Sequence, residues 1–295
     1  MNATPRILFL LLFLIIFTSP ANAELNITKD GDLTATEFDE LGFDTTGLVG
    51  YWQLNGNAND ASGQGNNGTI VGATATTDRF GTANMAMSFN GASYITLAEN
   101  LLDGAVAGTV EMWFKRGAWT ESFTTLLTKS NNIAWVYNHI QISQNSNANT
   151  INLTISNNIS STMTNVVTGN INQGEWYQIA MTWNGVVLVG YLNGIEIGRT
   201  NTAIAIPSDS TRFAIGRGAV NSNRYFNGSI DEVKIFNRAL SDAEILSMYN
   251  HEKGKFSVGN DGTMRALEFV EDPALPVQMR SKKESLTVKG QLIEQ

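Results

Sequence analysis

The sequence predicts an all-β fold, an antiparallel sandwich, and three observations carry that expectation. Apolar residues alternate with others along short segments, Asn-Gly pairs separate successive segments, and glycine far outnumbers proline, 27 against 5. Alternation with period two puts one set of side chains on each face of a strand. Asn-Gly between such runs is the strongest short-range hairpin signal, because both residues tolerate positive φ.

The elements follow in chain order. Behind Arg6, Ile7 to Phe17 is uninterruptedly apolar, and Ala21-Asn22-Ala23 follows. A basic start, a short apolar run and an Ala-x-Ala site predict a secretory signal peptide over residues 1–23. The run is shorter than the roughly 20 residues that span a bilayer. The chain is therefore expected to be secreted or extracytoplasmic, at the cell surface. Thr109 to Lys115 alternates, with Val110, Met112 and Phe114 on one face and Glu111, Trp113 and Lys115 on the other, read as the open face. Ile151 to Ile155 reads as a strand. From Trp176 to Trp183, Tyr177, Ile179, Met181 and Trp183 alternate with Gln178, Ala180 and Thr182. Asn184-Gly185 then turns the chain into Val186 to Leu192, and Asn193-Gly194 turns it into Ile195 to Ile197. Arg212 to Ile215 is a further strand. Many strands without helical interludes imply a sandwich or jelly roll. One short C-terminal helix is expected, capped by Ser241 and opened by a Ser241–Glu244 capping box, with Ile245, Met248 and Tyr249 facing inward.

Composition narrows the function. A formal charge of −8 argues against a nucleic-acid partner, and the absence of cysteine removes thiol nucleophiles and cysteine-held metals. His139 and His251 lie far apart in sequence and read as ordinary surface residues. Sequons such as Asn67-Gly-Thr69 are expected by chance in so Asn- and Thr-rich a chain.

Two flanks resemble each other. Ile27 to Glu40 aligns without gaps on Val258 to Glu271, sharing an Asp-Gly turn, an apolar residue two past the glycine, then Ala and Glu-Phe-x-Glu. Each copy predicts a small β-hairpin too short to stand alone, so the two read as flanking β-hairpin repeats. Leu286 to Ile293 matches the opening of a third copy only weakly. The expected organisation is a signal peptide (1–23), an N-terminal repeat (24–46), a central domain (47–250) and a C-terminal repeat with tail (251–295).

The central segment resembles the LamG-like jelly-roll domains of the concanavalin A-like lectin/glucanase superfamily. The residues that carry this are Gly47-Leu-Val-Gly-Tyr-Trp-Gln-Leu54 with the Asn-rich loop to Thr69, Ser88-Phe-Asn-Gly-Ala-Ser-Tyr-Ile95, Gly108 to Lys115, Glu175 to Met181, and above all Gly228-Ser-Ile-Asp-Glu-Val-Lys-Ile-Phe236 running into the closing helix. The resemblance implies a concanavalin A-like jelly roll and a structural calcium ion bracing the first loops against the last strand. Asp231 would then be its side-chain ligand, with carbonyls near Asn90 and Gly91. Asp60 fits equally a second carboxylate ligand or an Asx-turn. Glycosidases of this fold carry alternating acids on one strand; this chain has no such triplet, and Glu111 lacks an acidic partner on its own strand. The expectation is therefore a non-catalytic module, not an enzyme.

Sugar recognition uses aromatic platforms beside polar groups, and Trp119, Trp135, Tyr137 and Tyr225, with Arg217 and Arg224, lie in or beside polar loops as a candidate ligand site. The leading expectation is a binding module for a glycan or an extracellular surface component in adhesion. The alternatives are a structural subunit of a fibre or oligomer, self-associating through residues 24–46 and 255–295, and a glycoside hydrolase-like enzyme using acids from separate strands.

Overall fold

The computed structural model describes residues 43–118, 123–131, 138–145, 150–157, 161–166, 171–218 and 224–253, with five short strands in the flanks. Residues 1–23 lie outside the described residues. The chain divides into two compact units, Phe43–Lys253 and, as the second, Met1–Gly42 with Gly254–Gln295.

In the N-terminal flank β1 (Leu25–Ile27) pairs antiparallel with β2 (Leu33–Ala35). The central unit then runs through β3 (Leu48–Trp52), β4 (Thr69–Val71), β5 (Thr74–Thr76), β6 (Ala86–Asn90), β7 (Tyr94–Thr96) and β8 (Gly108–Arg116). It continues with β9 (Phe123–Ser130), β10 (Asn138–Asn145), β11 (Thr150–Ser156), β12 (Ser161–Val166) and β13 (Trp176–Trp183). After these come β14 (Val187–Leu192), β15 (Ile195–Asn201), β16 (Arg212–Ile215), β17 (Asn227–Phe236) and the helix α1 (Asp242–Lys253). The C-terminal flank holds β18 (Phe256–Val258), β19 (Thr263–Ala266) and β20 (Val288–Lys289). The two flanking hairpins have the same register: Ile27 faces Leu33 as Val258 faces Met264, and Leu25 faces Ala35 as Phe256 faces Ala266.

The central unit is a sandwich of two antiparallel sheets. One has the order β12-β11-β10-β9-β16-β7-β4; the other runs β15-β14-β13-β8-β17-β6-β5, with β3 also paired to β17. The alternation read from the sequence supplies the inner faces. Val110, Met112, Phe114, Ile179, Met181 and Trp183 from one sheet meet Ile95, Leu127, Ile142, Leu153, Phe213 and Ile215 from the other in a single buried core. Each such side chain contributes about 1.5–3 kcal/mol on burial. At the β14–β15 hairpin both Asn193 and Gly194 have positive φ (52° and 76°), as a two-residue turn matched to strand twist requires. At the preceding turn the Asn184 side-chain oxygen accepts the amides of Val186 and Val187, so β14 starts one residue later than the alternation suggests.

The outer face of the second sheet is not open. Helix α1 covers it, started by the expected capping box: Ser241 N–H donates to Glu244, and Glu244 N–H to Ser241 Oγ. Ile245 and Met248 are buried, and Tyr249 stacks on Trp113 with ring centroids 5.8 Å apart. Glu111, expected on an exposed face, is fully buried beneath the helix and 3.2 Å from Lys234 Nζ. Lys234 also meets Glu252 of the helix at 2.7 Å and Glu232 at 3.6 Å. Glu232 accepts the Tyr51 hydroxyl, and Glu252 accepts the indole N–H of Trp113. Arg79 closes the helix end, donating to the Glu252 carbonyl at 3.1 Å and to Asp231 at 2.8 Å, with its guanidinium over the Trp113 ring.

Burial and the Glu252 carboxylate push the Glu111 carboxyl up to about 8, against the pull of Lys234. Burial disfavours the Lys234 charge, yet Glu111, Glu252 and Glu232 hold it protonated well above the ordinary lysine range. Native Glu111 thus keeps a proton that the unfolded chain, with its carboxyl near 4.5, has released. Across that interval the native state binds more protons than the unfolded one, so this group makes stability fall as pH rises from about 4.5 to about 8. In urea unfolding, Glu111→Gln should flatten this decline, and an unchanged pH slope would place the titration elsewhere. Lys234→Ala leaves its carboxylates buried without their cation and should lose about 3–5 kcal/mol.

Candidate functional site

The outer face of the first sheet is polar rather than charged. Thr125, Ser143 and Asn152 face one another across β9, β10 and β11, and Gln141 faces Thr154. They alternate with the core residues Ile142, Ile151 and Leu153, so they point away from the sandwich interior. Gln141 donates to Thr125 Oγ1 at 3.3 Å, and all five residues are buried, so this is a covered layer of amides and hydroxyls rather than an open polar surface.

Where β7 and β9 begin and β16 ends, this layer meets arginine and tyrosine. Tyr94, adjacent to the core residue Ile95, turns outward from β7. The Arg217 guanidinium lies 4.6 Å over the Tyr94 ring and 5.5 Å from that of Tyr225, and the two tyrosine rings are 6.2 Å apart. Arg224 lies 5.1 Å over Phe123. The segment carrying Tyr225 is stitched to the sheet: Thr125 N–H donates to the Arg224 carbonyl, and Phe226 N–H to that of Gly216. Gly216 has φ 79°, and a Cβ there would lie 2.4 Å from the Phe89 ring, so no other residue lets the chain turn here without displacing the core.

Burial first, and then the charge of Arg217, hold the Arg212 guanidinium below its usual range. Arg217 Nε is buried and has no hydrogen-bond partner among the described residues. Two half-buried guanidinium groups that repel one another, with that of Arg217 over tyrosine rings, form a local positive spot on a chain of net charge −8. Such a spot favours an oxyanion held by forked N–H groups.

The structure therefore brings Arg217 and Tyr225 together with Arg224 next in the chain. It adds Tyr94, Arg212 and Phe123, which the sequence analysis did not single out. Trp119, Trp135 and Tyr137 lie outside the described residues. His251 is exposed as expected, but His139 is not a surface residue. It is fully buried, with Nδ1 2.9 Å from Ser210 Oγ and Nε2 3.3 Å from the Asp209 carboxylate, because β10 carries it beside the loop before β16.

The residues named for calcium occupy separate places. The Asp60 carboxylate accepts the amides of Tyr51 and Ser62 on Oδ1 and of Asn66 on Oδ2, all at 2.8–2.9 Å. Burial raises its pKa, but the hydrogen bonds from Ser62, Tyr51 and Asn66 outweigh burial and leave it lowered. Asp231 holds Arg79, whose cation repels a second one. Asn90 accepts the Ala92 amide and pairs with Asn227, four residues before Asp231 on β17 and so about 13 Å along the strand. Gly91 donates its N–H to the Phe226 carbonyl at that same far end. A calcium ion needs about six to eight oxygens around one centre, and these residues as held here do not fit one. The described residues contain no group of three or more His, Asp or Glu suited to a metal. Calcium and a chelator should give the same melting temperature, whereas Asp60→Ala should cost about 1 kcal/mol by leaving three part-buried amides without their acceptor; a calcium-dependent rise in melting temperature would overturn this.

A family model described as the concanavalin A-like lectin/glucanases superfamily matches residues 89–246. No curated protein matches the chain. Among solved structures the chain is similar to domain 4 of AbnA, a GH43 extracellular arabinanase from Geobacillus stearothermophilus, in complex with arabinotriose. That match has 21% identity and a TM-score of 0.56, over 68% of this chain and 98% of that one. It is also similar to the binding domain of Paraclostridial Mosquitocidal Protein 1, with 14% identity and a TM-score of 0.55, over 70% of this chain and 52% of that one. A third is botulinum neurotoxin type C, whose cell entry depends on interaction with two ganglioside molecules: 15% identity, TM-score 0.56, 74% of this chain and 54% of that one. The chain thus spans about half of each toxin structure. At these identities the likeness is one of fold.

Proposed function

The chain belongs to the concanavalin A-like lectin/glucanases superfamily, and from that premise we propose that it is an exported, non-catalytic module binding glycans that carry a carboxylate. The observation that carries this reading is Arg217 packed against the rings of Tyr94 and Tyr225, with the charge of Arg212 close enough to oppose it. A sugar acid would place its carboxylate on the guanidinium edge, while the tyrosines offer apolar faces to its ring. Gangliosides and arabinotriose, named for the similar structures, support saccharides as the class. The absence of catalysis is supported by Glu111, the acid most suggestive in sequence, being sealed under α1 and protonated at neutral pH.

Calorimetry with 3′-sialyllactose against lactose, and with digalacturonic acid against a neutral disaccharide, tests the reading. The acidic sugars should bind more tightly, and Arg217→Ala should weaken them at least tenfold, about 1.4 kcal/mol, with the fold intact. Equal affinity for acidic and neutral partners would refute the preference.

A second reading joins chains through the flanks, favoured by the shared register of the two hairpins. Two-stranded hairpins are marginal alone and gain from pairing with another edge. Light scattering should then give a larger oligomer for residues 24–295 than for residues 43–253; monomers in both would remove this reading.

A further inference from the structure

A cleft of about 630 Å³ lies apart from the arginine–tyrosine cluster, between the loop that follows β3 and the loop that precedes β8. Both walls are loops, and loops are ordinarily the mobile parts of a fold. Here each wall is fixed by a charged side chain used for no other visible purpose. On one side Asp60 gathers the amides of Tyr51, Ser62 and Asn66, while Trp52 Nε1 donates to the Asn66 carbonyl and Asn66 Nδ2 to that of Val49. On the other side Lys129, fully buried, reaches from β9 to donate to the Glu99 carbonyl and to Asp103 at 2.7 Å. Gly104 N–H donates to Ile206 O and Ile206 N–H to Ala105 O, sewing the same wall to the segment before β16. Leu102 sits there at φ 65°, a left-handed conformation rare for leucine that only an over-determined loop retains.

What the pinned walls present is neutral and amphipathic. The exposed side-chain amides of Gln64, Asn100 and Asn237 stand around a floor that includes Val49, Leu101 and Ala105. Among the lining residues Asp103 alone is charged, and Lys129 balances it. Amides that both donate and accept match hydroxyl groups, apolar floor atoms match the C–H face of a sugar ring, and the volume lies within the usual range for small-ligand sites of about 300–1,000 Å³. The geometry points to a second site, distinct in place and chemistry from the arginine–tyrosine cluster, that takes an uncharged mono- or disaccharide. It does not depend on the reading of that cluster. Fixing both walls before binding removes an ordering penalty that mobile loops would exact from a ligand held only by neutral hydrogen bonds.

The test uses the full chain carrying Arg217→Ala, so that the first cluster is disabled, and saturation-transfer NMR with lactose, cellobiose, mannobiose and arabinobiose. At least one should give a saturable signal. Adding Asn100→Ala and Asn237→Ala should weaken that sugar tenfold or more without moving the melting temperature. Should the pair melt early, Gln64→Ala, at an exposed position, carries the same expectation. The inference is overturned if none of the four binds the Arg217→Ala chain, or if the bound sugar ignores both the asparagine pair and Gln64→Ala. Failure of the carboxylate reading appears separately, as sialyllactose binding that Arg217→Ala leaves intact.

Discussion

Lys234 is buried among carboxylates from three elements, and the layered arrangement of the central unit depends on that one cation. Its strand, β17, pairs with β3, β6 and β8, so it is the common member of the second sheet. Glu111 comes from β8, Glu232 from β17 itself and Glu252 from α1. Desolvating so many ionisable groups is strongly unfavourable, and only close pairing offsets it. A neutral Glu111 relieves part of the excess negative charge. The network therefore adds less net stability than its contacts suggest, but it specifies where the helix docks, since Glu252 finds its cation at one position on the sheet.

The backbone is shaped to build this cluster. Between Asp231, opposite Trp113, and Lys234, opposite Glu111, β17 carries one residue more than β8, and Glu232 takes a φ of 54° in the resulting bulge. A bulge re-aims side chains without breaking the sheet. Here it lets Asp231 and Lys234 both face the helix, while Ile230 and Val233 both enter the core. The same economy marks the loops: Asp60, within its own loop, gathers backbone amides, and Lys129 reaches out from β9, so the polar side chains at the loop tips are held on a fixed frame.

Much of this was legible in the sequence because it is local. Trp176–Trp183, the Asn193-Gly194 turn and the Ser241–Glu244 capping box each need only neighbouring residues to be read. The features that escaped are those set by distant partners. Period two assigns Glu111 to the face away from Val110 and Met112 correctly, but nothing local says that a helix far along the chain seals that face. The slip from Ile230 to Val233, three positions rather than two, was a visible sign of the bulge. Tyr94 and Arg212 join Arg217 only because β7 and β16 pair across a long stretch of sequence. His139 was read as exposed for the same reason, its partners Ser210 and Asp209 arriving from another loop.

The placement of Glu252 has a mechanical consequence. The central unit ends at Lys253, so any tension along the C-terminal flank enters it through the last turn of α1. The first deeply held side chain on that path is Glu252, anchored by Lys234 and Trp113, with its carbonyl gripped by Arg79. Load is thus taken by a charged anchor and a guanidinium clasp before it reaches the hydrogen-bond ladder of β17. Pulling on the tail would therefore load the last turn of a helix before it loads the strands of the sandwich.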